Sequence, residues 1–217
     1  MKTSDVIQTL SNDLKNNKPD NPVSVQKYLL FWLSSAIVLI IAAIYVLPWR
    51  DDLNDRLQQF EFWGLASLWA ASAIIPAIIA YLSIFPARLD SYRLLKKIAF
   101  VPFAMIIAYA IYEFPTQNLS HAWYRERHFY NGGCGAVIFA VGLIHALFLG
   151  AWLRRGASTH PIQTGALAAF STGAFTSAIV LFACPNENSI HVFLWHVLPL
   201  LGLTVLGSVL SRKLLRW

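Results

Sequence analysis

Charge is scarce in this sequence, and the scarcity decides the class of protein. Asp, Glu, Lys and Arg make up 13% of the 217 residues, where a soluble domain carries about 25%. Hydrophobic residues take 57% and the mean hydropathy is +0.52. That balance points to a membrane protein rather than a soluble domain with a large core. The net charge of +6 does not make the chain a nucleic-acid binder. That role needs a basic patch on a soluble face, and here the basic residues flank apolar runs. Cysteine is nearly absent, with only Cys134 and Cys184. No C-x-x-C, H-E-x-x-H or zinc-type cluster occurs, so the metal-ligand signal is weak and no cofactor is implied. The G-x-S-x-G, phosphate-loop and dinucleotide glycine motifs are missing too. No carboxylate lies inside an apolar run, although a proton-coupled transporter usually carries one. Glu113 and Glu187 stand at run boundaries. The short Pro/Gly-interrupted half-helices of many transporters are not evident either. Enzyme and transporter readings both lose ground, and the chain reads as a non-enzyme.

What is present is a series of long apolar runs. A spanning helix needs about 20 mostly apolar residues, and six stretches qualify: Tyr28–Leu47, Phe62–Phe85, Leu94–Tyr112, Gly133–Leu153, Gln163–Ala183 and His191–Leu210. The predicted fold is all-α: a six-helix transmembrane bundle over 28–217, preceded by a cytoplasmic tail over 1–27. The third span is the weakest, because Lys96 and Lys97 lie in its first turns and must snorkel toward headgroups. Pro76 and Pro102 fall within predicted spans, where membrane helices tolerate proline. The first run follows 27 hydrophilic residues and lacks a small-residue cleavage site, so it reads as a retained anchor.

Basic residues near span ends stay on the cytoplasmic side. Lys2, Lys15, Lys18 and Lys27 precede the first span, and Arg88, Arg93, Lys96 and Lys97 follow the second. Arg154 and Arg155 follow the fourth span; Arg212, Lys213 and Arg216 follow the sixth. Only Arg50, Arg56, Arg125 and Arg127 fall on the other side, a bias of thirteen to four. Both termini are therefore expected in the cytoplasm. The break C184-P185-N186-E187-N188, free of lysine and arginine, becomes an extracytoplasmic turn.

The tail segment D5-V6-I7-Q8-T9-L10-S11-N12-D13-L14 reads as a short amphipathic helix, with Val6, Ile7, Leu10 and Leu14 on one stripe. The polar linker N16-N17-K18-P19-D20-N21-P22 ends it. Three turns are marginal alone, so the stripe needs cover from the bilayer surface or from a protein groove. Asp5 and Asp13 beside Lys2 and Lys15 make its polar face mixed rather than strongly basic, which favours the protein groove.

Cys134 opens the fourth span and Cys184 closes the fifth, at the same predicted membrane level. The glycines around Cys134 remove bulk and allow close approach. Thiols facing an oxidising compartment pair readily when their Cα atoms come within about 7 Å. A structural staple, a reversible dithiol, a thiol pair for soft metals and two separate packing cysteines all remain open. His191 and His196 are five residues apart and do not share a face of an α-helix, although His191 could join Cys184 in a mixed site. His145 lies in mid-span, where an ionisable residue is a functional candidate or a neutral imidazole bonded to a neighbouring helix. His191, His196 and His145 thus stand behind the thiols as supporting candidates. His121, His128 and His160 read as solvated or interfacial. Gly165, Ala169, Gly173 and Ser177 form a ridge of small residues for close helix packing.

The order of these parts resembles the NrsF-like membrane proteins, negative regulators of sigma F. The leading helix comes first, followed by the spans, with a cysteine starting the fourth. R154-R155-G156-A157 follows that span, and the C-P break and L194-W195-H196 lie around the fifth and sixth. The chain closes S211-R212-K213-L214-L215-R216-W217, similar to the family's Arg-Arg-Leu-Leu-Arg-Trp ending with Lys213 in place of one arginine. The resemblance implies an inner-membrane anti-sigma factor that holds an extracytoplasmic-function sigma factor until oxidant or heavy-metal stress. It implies Cys134 and Cys184 as the sensor and Val6, Ile7, Leu10 and Leu14 as the sigma-binding anchors. The chain lacks the His-x-x-x-Cys-x-x-Cys zinc motif of the larger anti-sigma class, so its grip on sigma must differ. The expected partners are the sigma factor and the lipid bilayer, with no direct nucleic-acid contact. The rival reading is a small six-span transporter or channel, its polar path lined by His145 and His196.

Overall fold

The computed structural model describes residues 25–84, 97–114, 133–156 and 160–215, together with 5, 7, 8, 11 and 158. Among the described residues every regular element is helical. They are α1 (Val25–Val46), α2 (Leu53–Arg56), α3 (Phe60–Leu82), α4 (Val101–Glu113), α5 (Gly133–Leu153), α6 (Pro161–Leu181), α7 (Ser189–Val192) and α8 (Leu198–Leu214). A single π-helical turn, Phe193–Val197, joins α7 to α8, so the two run on as one stretch, Ser189–Leu214.

Among the described residues, five stretches are long and apolar enough to cross a membrane: α1, α3, α5, α6 and the α7–α8 unit. Of the expected third span, residues 94–96 lie outside the described residues, Lys97 and Ile98 are helical, and a turn at Ala99 and Phe100 separates them from α4. Its described helix, α4, has 13 residues, about 20 Å at 1.5 Å per residue against a hydrocarbon core of about 30 Å. Pro102 marks where α4 starts. It stands in the first turn of α4 rather than in a helix interior, where its missing N–H costs nothing and its fixed φ starts a helix. Pro76, by contrast, lies inside α3, as membrane helices allow.

The distribution of polarity fits a lipid solvent. Leu30, Val38 and Ile41 of α1 and Val205 and Val209 of α8 are all at least half exposed, a breadth of apolar surface that soluble monomers rarely show. Buried polar residues gather inside: Ser72, His145, Ser171, Thr172, Thr176 and Ser177. Two hydroxyls bond back to their own helix, Thr172 to the Ala169 carbonyl at 3.0 Å and Thr176 to the Thr172 carbonyl at 2.9 Å.

Helix α6 is the centre of the bundle. Of its apolar stretch 78% is buried, against 12% for α1, and it packs on α3, α5 and α8. The small-residue ridge is the reason. A Cβ on Gly165 would lie 2.6 Å from the Gly207 carbonyl oxygen and would overlap Ser211, and a Cβ on Gly207 would overlap Ala169. Gly173 faces Leu200 and Leu203 of α8, and its Cα would lie 3.4 Å from a Cβ on Gly142 of α5. The backbones of α6 and α8 therefore touch along a seam that admits no larger residue. Helix α1 is held more loosely, by a Tyr28–Tyr81 ring stack at 4.4 Å and a Phe31–Trp152 stack at 4.7 Å.

Candidate functional site

The site forms where α6 ends. The Cys184 amide still bonds to the Val180 carbonyl at 2.8 Å, and Pro185, which has no N–H, stops the helix there. Two asparagines shape the turn. Asn186 Oδ1 accepts the Asn188 amide at 3.1 Å, and Asn188 Oδ1 accepts the Ile190 amide at 2.9 Å, capping α7. The Cys184 thiol, now pinned, donates to the Asn186 carbonyl at 3.5 Å.

Helix α5 brings the second thiol. Cys134 is its second residue and packs with Ile138, Val180 and Cys184. Gly135 permits the approach: a Cβ there would stand 3.1 Å from the Trp195 ring and 3.4 Å from its carbonyl. Of the glycines thought to clear space at Cys134, Gly135 does so, whereas Gly133 faces open space and Gly132 lies outside the described residues. Both cysteines are thiols, not a disulfide.

The histidines overturn the reading from spacing. In an α-helix of 3.6 residues per turn, residues five apart sit about 140° around the axis. The π-helical turn at Phe193–Val197 carries i→i+5 bonds that align residues five apart. His191 and His196 consequently lie on one face, ring centroids 5.7 Å apart, and both are buried. His191 Nε2 is 3.2 Å from Cys184 Sγ. One ligand atom from each of Cys134, Cys184, His191 and His196 lies within 4.8 Å of the other three. The Cys184 thiol is held well below the ordinary thiol range. Its hydrogen bond with Cys134 is the largest cause, burial opposes it, and the facing His191 and His196 rings reinforce it.

His145 is not part of this group. Eleven residues beyond Cys134 on α5, it is about 16 Å further along the axis, and its Nε2 lies 2.9 Å from Ser35 Oγ on α1. His160 is exposed at the start of α6; His121 and His128 lie outside the described residues. Of the tail anchors, Ile7 is helical and 63% exposed, and Val6, Leu10 and Leu14 lie outside the described residues.

An ion-pair network beside the cysteines was not evident from spacing. The side chain of Arg50 is fully buried and clamps Asp52 through Nε and Nη2 at 2.6 and 2.9 Å, while its Nη1 meets Glu187 at 2.6 Å. Arg56 bridges the same two acids, at 3.3 Å to Asp52 and 3.1 Å to Glu187. The α1–α3 connection is thereby fastened to the turn that carries Cys184. Asp52 is lowered to about 2, chiefly by the Arg50 hydrogen bond. The available signal was the presence of Arg50 and Arg56 on the side otherwise poor in basic residues. Beside the network a cleft of about 280 Å³ is lined by Arg56, Glu61, Tyr109, Glu113 and Glu187.

Residues 10–217, nearly the whole chain, match a protein family described as NrsF, negative regulator of sigma F. No curated protein and no solved structure matches the chain.

Proposed function

The chain belongs to the NrsF family of negative regulators of sigma F, and from that premise we propose an inner-membrane anti-sigma factor for an extracytoplasmic-function sigma factor. Stress chemistry at Cys134 and Cys184 releases the sigma factor. One observation carries the sensing half of this reading: two cysteines fifty residues apart in sequence meet at one end of the bundle, buried against two histidines. By the bias of basic residues that end is extracytoplasmic, and both termini are cytoplasmic. The tail stripe of Val6, Ile7, Leu10 and Leu14 is the element that grips sigma.

The proposed coupling is mechanical. Cys184 follows α6 directly, and α6 shares a backbone-to-backbone seam with α8. A change in the spacing of the thiols is a change in how α5, α6 and α8 pack, and packed seams switch between arrangements rather than deform smoothly. The thermodynamic demand is modest, since about 1.4 kcal/mol shifts affinity tenfold. The modification must, however, favour one packing over the other by that amount.

The test is a sigma-dependent reporter strain. Leu10→Asp with Leu14→Asp should raise the reporter without stress, and a pull-down from detergent should lose the sigma factor. Cys134→Ser and Cys184→Ser should each blunt the response to oxidant or cadmium. A silent reporter in the tail variant, or normal induction in both cysteine variants, refutes the corresponding half.

A further inference from the structure

We propose that Cys134, Cys184, His191 and His196 form a four-coordinate site for a soft or borderline divalent cation such as Zn2+ or Cd2+. The inference deepens the sensing role above and rests on it for its biological meaning, although binding itself requires no sigma factor.

The geometry is close to what such an ion needs. With metal–sulfur distances of about 2.3 Å and metal–nitrogen distances of about 2.0–2.1 Å, the edges of a tetrahedron are about 3.3–3.8 Å. The four ligand atoms already lie within 4.8 Å of one another, and the Cys184–His191 edge is 3.2 Å. Closure asks for movements of about 1 Å. The His196 Nε2 atom is buried without a hydrogen-bond partner among the described residues, so its ring has unused bonding capacity.

The donor set selects the ion. Two thiolates and two imidazoles, with no carboxylate, favour zinc-like and softer cations over Mg2+ or Ca2+. Charge agrees with burial. Two thiolate charges cancel a divalent cation, so the loaded site is neutral, and a buried site strongly penalises uncompensated charge. Entry requires the protons on the ligand atoms to leave to water as the sulfur and nitrogen lone pairs bond to the metal. The neighbouring cleft presents Glu61 and Glu113 beside the Arg56–Glu187 pair, so acids outnumber bases in its lining and favour cations at this end of the bundle.

The site also accounts for the π-helical turn. A π-helical turn is a costly irregularity that recurs at functional sites. Here it is the element that places His196 beside His191 and the thiols.

The experiment uses the purified full-length chain in detergent, reduced and stripped of metal. Titration with Cd2+ should give a thiolate-to-cadmium charge-transfer band that saturates at one ion per chain. Co2+ should give the intense visible bands of a tetrahedral sulfur–nitrogen site. Cys134→Ser or Cys184→Ser should remove most of the charge-transfer intensity. His191→Ala and His196→Ala should each weaken Cd2+ binding tenfold or more and change the Co2+ spectrum. Helical circular dichroism and unchanged thiol counts in the histidine variants separate ligand loss from misfolding. No charge-transfer band in the wild type overturns the proposal, and so does binding that both histidine variants leave intact, which would mark a simple dithiol. Because no sigma factor is present, failure here leaves the anti-sigma reading untouched, and failure of the reporter test leaves the metal site untouched.

Discussion

Gly165→Ala tests whether the α6–α8 seam holds the bundle together. The added Cβ would sit 2.6 Å from the Gly207 carbonyl oxygen and would overlap Ser211. Ordinary carbon–oxygen contact is near 3.4 Å, so the helices must part by roughly 0.8 Å or more. The obstacle at Gly207 is backbone, which cannot rotate aside. Overpacking of this kind costs about 1–3 kcal/mol, and a backbone obstacle places it at the upper end. Replacing glycine by alanine in a helix returns about 1 kcal/mol. The net expectation is a loss of about 2 kcal/mol, a roughly thirtyfold shift toward the unfolded form. Gly150→Ala on α5 is the control, because nothing lies within 4 Å of its Cβ position, and it should gain the propensity term alone. Unfolding in mixed micelles with rising SDS, followed by tryptophan fluorescence, reads both. If Gly165→Ala is as stable as Gly150→Ala, the seam is looser than described and the proposed coupling from Cys184 through α6 loses its basis.

Three further predictions concern polar contacts within the bundle and at its end. Glu187→Gln removes the contacts to Arg50 and Arg56, leaving a buried guanidinium with Asp52 alone. It should cost about 1–3 kcal/mol and make Cys184 react faster with a maleimide, and an unchanged rate would show that the asparagine turn alone fixes the thiol. Asp52 is lowered from 3.8 to about 2, so its contribution is fully present above pH 3.8 and disappears as pH falls through 2. The stability difference between wild type and Asp52→Asn should therefore be constant near neutrality and vanish in strong acid, and a difference that persists undiminished below pH 2 would refute the pairing. His145→Ala and Ser35→Ala should each cost about 1 kcal/mol and be non-additive together, because one hydrogen bond joins α1 to α5; additive losses would place the two side chains in separate interactions.

The sequence was most informative where one physical rule acted alone. Hydropathy located α1, α3, α5, α6 and the last span, because lipid penalises every exposed polar group in the same way. The small-residue ridge on α6 was visible as spacing, and the structure supplies its partner, Gly207 and Ser211. The reading failed where two rules met. Pro102 was compatible with a helix interior and with a helix start, and only the break at Phe100 decides for the start. His191 and His196 were separated by assuming a constant 3.6-residue period, which the π-helical turn breaks. Nothing in the residues F193-L194-W195-H196-V197 announces a wider turn. The signal in the sequence lies just beyond them, in Pro199, which has no N–H to return to the Trp195 carbonyl and stands in the first turn of α8. The Arg50–Glu187 pair joins residues 137 apart, and no local pattern encodes such a distance.

The π-helical turn has a consequence for the last membrane crossing as a whole. Before the turn, the helix must point His191 at the thiols. After it, the same helix must point Leu200, Leu203, Gly207 and Ser211 at the ridge of α6. A uniform α-helix has one angular phase, and a phase that satisfies the seam would carry His196 away from His191. The wide turn acts as a phase shifter of one inserted residue, so that chemistry and packing are each in register along one rod. Deleting any one residue from Phe193–Val197 would remove the shift. The crossing would remain long and apolar, but its two halves would compete for a single orientation.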